Sequence, residues 1–327
     1  MLNYIIRRLV YMVITLFFIS LISFFIIELT PGSYLDTVLM QLRQRGGDIS
    51  QSQIAALQER YGVNDPVYVK YVKWISGVVK GDFGESFQYS KPVGELIWGR
   101  LAFSVLLAGS SAIFAWLVSI PIGVYSATHR YTLPDYLITI IQFIGISIPE
   151  FLLALVLLVF ASNVLGLDVG GLVSAQYVDA PMSWDKFVNI LQHIWVPIVV
   201  IAAGSTAWLT RVMRANLLDV LNMQYVQTAR AKGLKEQRVI WKHAVRNALH
   251  PLVMAAGGIL PLLISGEVVA SIVLNLPTTG PLLLQALIQK DIYLAITMLM
   301  FLAFMLVVGN LIADLLLAWV DPRVRYE

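Results

Sequence analysis

Long apolar runs and short polar segments alternate along this chain. Six runs are long enough to cross a bilayer as helices, at about 9–29, 101–127, 135–165, 194–218, 252–274 and 292–319. They are continuous rather than alternating residue by residue, which predicts helical spans and not barrel strands. Two polar segments are too long to be plain turns. One, 31–100, separates the first two runs, and the other, 220–251, separates the fourth and fifth.

Composition supports the same division. The 327 residues are 58% hydrophobic and only 13% charged, against roughly 25% charged residues in soluble domains. The expected fold is therefore an all-α integral membrane protein of six transmembrane helices. Arg7 and Arg8 precede the first run, but no small-residue cleavage site follows Ile27–Thr30, so that run is read as a span and not a cleaved leader. His129 and Arg130, Arg211 and Arg214, the basic loop, and Arg323 and Arg325 all fall on the side of Arg7 and Arg8. Both termini and the basic loop are thus expected in the cytoplasm. The opposite loop, 166–193, has the single cation Lys186. This bias accounts for the net charge of +3, and no nucleic-acid partner is inferred from it. With no cysteine, disulfides, thiol nucleophiles and thiolate metal sites are excluded.

Segment 31–100 carries its own helical signals. Ser50 or Ser52 can cap a helix through Ile54, Leu57 and Tyr61 that stops at Gly62. Asn64 or Asp65 then precedes Pro66, and Val67, Tyr68, Tyr71, Val72 and Ile75 make an apolar face. Gly81-Asp82-Phe83-Gly84 reads as a turn, and Pro92 to Arg100 leads into the second span. The domain reading is accordingly a tail and first span (1–30), a small helical extracytoplasmic cap (31–100), and a five-helix core (101–327).

The basic loop is the most informative segment. Between Tyr225 and Pro251 it holds Arg230, Lys232, Lys235, Arg238, Lys242 and Arg246 against one acid, Glu236. Thr228 to Lys232 predicts a short helix, with Gly233 as its stop and a point of close backbone approach. A second helix over about Lys235–Leu249 would place Val239, His243 and Arg246 on one side. Ala229 and Ala231 allow close packing, so the two helices would form a compact knob for a groove on a soluble partner. Clustered juxtamembrane charge is also attracted to anionic lipid, but that needs no Gly, Ala, His or Asn at these spacings. No Gly-x-x-x-x-Gly-Lys-Ser/Thr loop occurs, so ATP is not bound in the P-loop manner by this chain.

Thr228-Ala229-Arg230-Ala231-Lys232-Gly233-Leu234, followed by His243-Ala244-Val245-Arg246-Asn247 and Pro251, resembles the signature of permease subunits of ATP-binding-cassette importers. Within them it is similar to the branch serving oligopeptides, dipeptides and nickel. Tyr4 to Leu9, Gly81 to Phe87 with Pro92-Val93, Ile148-Pro149, Asn310 to Asp314 and Asp321-Pro322-Arg323 extend the likeness over nearly the whole chain. The resemblance implies a homologous second permease, two cytoplasmic ATP-binding subunits and an extracytoplasmic solute-binding protein, all at the cell membrane. It also implies a non-catalytic chain without cofactors, ATP and Mg being used by the partners.

One stretch departs from that pattern. Where peptide-serving relatives carry Glu-x-Val-Phe-x-x-Pro-Gly-x-Gly, this chain reads Ser271 to Gly280, with an acid one turn earlier at Glu267. The cargo therefore stays open between oligopeptides and oligosaccharides. Glu267, Ser271, Asn275 and Pro149 are the candidates for the translocation path. Glu267 is read as lining the path or pairing, rather than as the proton carrier of a secondary transporter. Asp314, one turn after Asn310, is read as a structural hydrogen-bonding group. Pro121, Pro149, Gly123 and Gly145, with Gly257, Gly258, Pro261 and Gly266, are packing devices that also permit bending. His193 and His250 are expected at interfaces, and no histidine spacing suggests a metal site.

Overall fold

The computed structural model describes residues 2–29, 65–178 and 180–320, most of them helical. They form two compact units, one of Met1–Phe103 with Pro277–Val307, the other of Ser104–Leu276 with Val308–Glu327. The helix expected between Ser50 and Gly62, the residue Asn64, and Asp321, Pro322, Arg323 and Arg325 lie outside the described residues. So do the side chains around Gly257, Gly258 and Pro261.

In the first unit, α1 (Leu2–Glu28) packs against α2 (Val67–Val79). Tyr71 and Trp74 are buried with Phe24 and Ile296, while Tyr68 and Val72 are exposed. The buried face of α2 is therefore Val67, Tyr71, Trp74, Ile75 and Val78; of the face expected from the sequence, Val67, Tyr71 and Ile75 belong to it, whereas Tyr68 and Val72 do not. The aromatic pair wins because Tyr71 also donates to or accepts from the Ser20 hydroxyl at 2.9 Å, and the Trp74 indole N–H reaches Thr297. The expected turn at Gly81–Gly84 is present, with both glycines at φ near +83° and the Asp82 carboxylate accepting the Gly84 N–H. It leads into a two-residue hairpin, β1 (Glu85–Ser86) and β2 (Lys91–Pro92). A fully buried carboxylate, Asp291, fastens this hairpin by accepting the Ser86 hydroxyl at 2.5 Å and the Gln88 N–H at 3.0 Å.

The second unit is built on α3 (Val93–Thr128, from Ser104 onward), α4 (Leu133–Ser147), α5 (Glu150–Asn163) and α6 (Trp184–Leu221). α6 starts at Trp184 rather than near 194, because the Ser183 hydroxyl caps it by accepting the Lys186 N–H. His193 is consequently buried inside α6, its Nδ1 2.7 Å from the Asn189 carbonyl, and not interfacial. A stripe of Val196, Val200, Leu209, Met213 and Leu217 faces the core at helical spacing. Gly123 lets α3 approach that stripe, since a Cβ there would stand 2.7 Å from the Met213 Cβ. The opposite faces of α3, α4 and α5 leave Leu117, Ile141, Phe143 and Val156 exposed, an apolar surface suited to lipid.

Among the described residues, α1, α3, α6 and the last helix, Ile292–Val320, each contain a stretch long and apolar enough to cross a membrane alone. The expected third span is not straight. It breaks between α4 and α5 with a bend of 113°. Ile148 is extended and precedes Pro149, whose ring disfavours a helical residue before it. Pro121, by contrast, stays inside an unbroken α3. If the bent pair counts as one span, the total is five.

Candidate functional site

The basic loop folds into a knob of short helices. α7 (Gln224–Ala231) is followed by α8 (Glu236–Arg238), a π-helical turn over Val239–Ala244, and α9 (Val245–Ala248). α10 (His250–Val273) follows directly, with Pro251 in its first turn, where a missing N–H is harmless. The single helix expected over Lys235–Leu249 is thus interrupted. The Val245 N–H reaches back five residues to the Ile240 carbonyl, which widens the turn. This shifts the facing, so Val239 is fully buried, His243 half-buried and Arg246 exposed, instead of the three sharing one side.

The knob has a defined inner and outer surface. Val226, Ala229, Val239, Ala244, Val245 and Ala248 are buried in the same core cluster as Leu217 of α6 and Leu252 of α10. Leu234 packs on its edge. Thr228, Ala231, Lys232, Gly233, Asn247 and Pro251 are exposed, as is Trp241. Of the two expected packing alanines, Ala229 faces inward and Ala231 outward.

Two side-chain ties hold the knob, one across the corner between α7 and α8 and one from α9 back to α7. Gly233 takes φ +72° and donates its N–H to the Arg230 carbonyl, ending α7 in the left-handed conformation that glycine adopts without strain. Among the described residues, its chain neighbours aside, no atom lies within 4 Å of where its Cβ would stand, so the requirement there is conformational. Across the corner the Arg230 guanidinium donates to Glu236 at 2.7 Å from Nη2 and 3.2 Å from Nε. That hydrogen bond pushes the Arg230 pKa above its ordinary value. Asn247 donates to the Tyr225 hydroxyl at 2.7 Å, tying α9 back to the start of α7. One acid and one asparagine therefore tie the short helices of a cationic loop to one another.

The path candidates cluster on α10 and at the break. Glu267 and Ser271 are fully buried one turn apart, and the Ser271 hydroxyl donates to the Val268 carbonyl. Asn275 is exposed at φ +52°, with its N–H on the Ile272 carbonyl and that of Leu276 on Ser271, so it terminates α10. Pro149 opens α5, and the next residue, Glu150, sets its carboxylate oxygens 2.6 Å from where a Gly266 Cβ would stand. The structure thus brings Pro149 and α10 to one place through two residues, Glu150 and Gly266.

Two carboxylates with evident roles were not among the sequence candidates. Glu150 is one. The other is Asp135, which accepts both Nε (2.9 Å) and Nη2 (2.8 Å) of Arg214, the Tyr131 N–H (2.9 Å) and the Ser126 hydroxyl. It ties α3, α4 and α6 together. The available signal was an acid inside an apolar run, which by default asks for a partner.

This architecture defines a multi-pass helical membrane protein with a structured polar knob. Residues 119–326 match the family described as binding-protein-dependent transport system inner membrane component, and residues 1–108 match the N-terminal region of such components. The chain is 41% identical over 325 residues to the oligopeptide transport system permease protein AppB of Bacillus subtilis, covering 99% of both chains. It is 32% identical to the dipeptide transport system permease protein DppB of Alkalihalophilus pseudofirmus, covering 100% of both. It is 27% identical to the nickel import system permease protein NikB of Staphylococcus aureus, over 98% of this chain and 91% of that one. The chain belongs to the inner membrane components of binding-protein-dependent transport systems, the permease subunits of ATP-binding-cassette importers, and is a multi-pass protein of the cell membrane.

Proposed function

We propose that this permease carries oligopeptides or similar small solutes inward by ATP-driven alternating access, with the knob at 220–251 as its cytoplasmic dock for the ATP-binding subunits. The observation that carries this reading is the build of the knob. Its inner face is continuous with the core under α6 and α10, and its outer face presents Trp241, Lys232, Gly233 and exposed cations. A rigid body so rooted moves the spans when a partner moves it. Gly233, bare on its outer side, is where a partner's backbone would approach closely.

The same reading has six spans, the fifth being the 24-residue α10, with both termini inside and segment 31–100 outside. It calls for a second permease subunit, two ATP-binding subunits that use ATP and Mg, and a solute-binding protein that delivers cargo. The peptide cargo rests on the names of AppB and DppB. An oligosaccharide cargo finds no support in these relatives. Uptake by the reconstituted complex tests the reading. It should persist with a protonophore and vanish with an ATPase-dead partner. Loss with the protonophore alone would make the chain a proton-coupled transporter instead.

A further inference from the structure

Beside the α4–α5 break a cleft of about 320 Å³ opens, lined among others by Glu150, Trp208, Ser205, Gly145, Ala203 and Gly204. Small residues keep it open. A Cβ at Gly145 would stand 3.4 Å from the Ala207 Cβ and 3.6 Å from the Ala203 carbonyl, and one at Gly204 4.0 Å from the Gly145 carbonyl. The Glu150 carboxylate rests against the α10 backbone at Gly266 on one side and meets the cleft on the other. Among the described residues no Lys, Arg or His forms an ion pair with it.

A carboxylate inside an apolar run costs several kcal/mol and is retained where it has a task. Its place in the first turn of α5 offsets part of that cost through the helix dipole. The dipole explains how the charge is tolerated, but not why it borders open space. Trp208, 43% exposed, lines the same cleft. A carboxylate beside an indole is the combination that recognises an organic ammonium, by charge and by the negative face of the ring. A metal ion would require more ligands. No group of three His, Cys, Asp or Glu residues able to hold one occurs among the described residues.

We infer that this cleft is a subsite for an ammonium group of the cargo, with Glu150 as counter-charge and Trp208 as aromatic wall. The inference rests on the importer reading and extends it to substrate chemistry. A peptide's free amino terminus and a basic side chain both carry the required group.

The chain has no cysteine, so Ala203→Cys places its sole thiol in the cleft and leaves Glu150 untouched. In membranes holding the assembled complex, that thiol is titrated with a trimethylammonium and a sulfonate methanethiosulfonate reagent. Each forms a mixed disulfide with the thiolate and releases methanesulfinate. The cation-over-anion rate ratio should fall about tenfold when Glu150→Gln is added and stay near the Glu150 value with Glu150→Asp. Propylammonium should slow labelling only where the carboxylate is present. An unchanged ratio with Glu150→Gln, or no labelling by either reagent, overturns the subsite. An unchanged ratio with Glu150→Gln while the unaltered complex shows ATP-driven uptake removes the subsite alone, whereas absent uptake in the unaltered complex removes the importer reading.

Discussion

Asp135 shows what a single ionisable side chain does in this molecule. Its carboxylate is buried, yet it accepts four donors drawn from α3, the turn after it, and α6. Breaking such a pair strands one charge, so Arg214→Ala should destabilise the second unit by about 3 kcal/mol. Thermal unfolding in detergent measures this, and Asp135→Asn in the same chain should restore part of the loss. Gly233 is the opposite case, a residue that acts by having no side chain. At φ +72° a β-branched residue costs on the order of 1–3 kcal/mol, so Gly233→Val should distort the corner. Uptake should fall at least tenfold while the subunits still co-purify. Unimpaired uptake would remove the proposed docking role of Gly233. Thr228, Lys232, Arg246 and Asn247 stand out in the sequence as polar residues of an apolar chain, and the structure leaves them exposed. Asp135 and Glu150 were not, because their meaning depends on partners from other helices that spacing along the chain cannot supply.

At the scale of elements, hydrophobic runs placed the helices well and their irregularities poorly. Pro121 and Pro149 look alike in sequence, yet α3 continues through one while the third span turns by 113° at the other. The difference lies in the residue before Pro149, which is extended, and in Glu150, which needs a site against Gly266. The π turn at Val239–Ala244 was equally hidden. It brings Val239 and Ala244 to the same core cluster despite a five-residue spacing, a tertiary choice no propensity encodes. Close packing makes its own prediction. Gly123→Leu forces a side chain into Met213 and should cost about 1–3 kcal/mol, read as a lower unfolding temperature. A full-stability variant would mean that α3 and α6 separate at Gly123 without penalty.

For the whole molecule, the central claim is that an external ATPase drives the spans through the knob. Apolar spans alone make a helical membrane protein. On the proposed reading, the core-rooted and outward-facing loop makes it a driven one. Lys232, exposed beside Gly233, reports on the dock directly, because a cysteine there is unique within this chain. The decisive measurement is the partner captured by a short thiol-to-amine cross-linker at Lys232→Cys in the assembled transporter. The account predicts a cross-linked product with the ATP-binding subunit, whose yield changes when ATP is added and hydrolysis is blocked. Capture of lipid or of the second permease alone, with the ATP-binding subunit present and uncaptured, would contradict it.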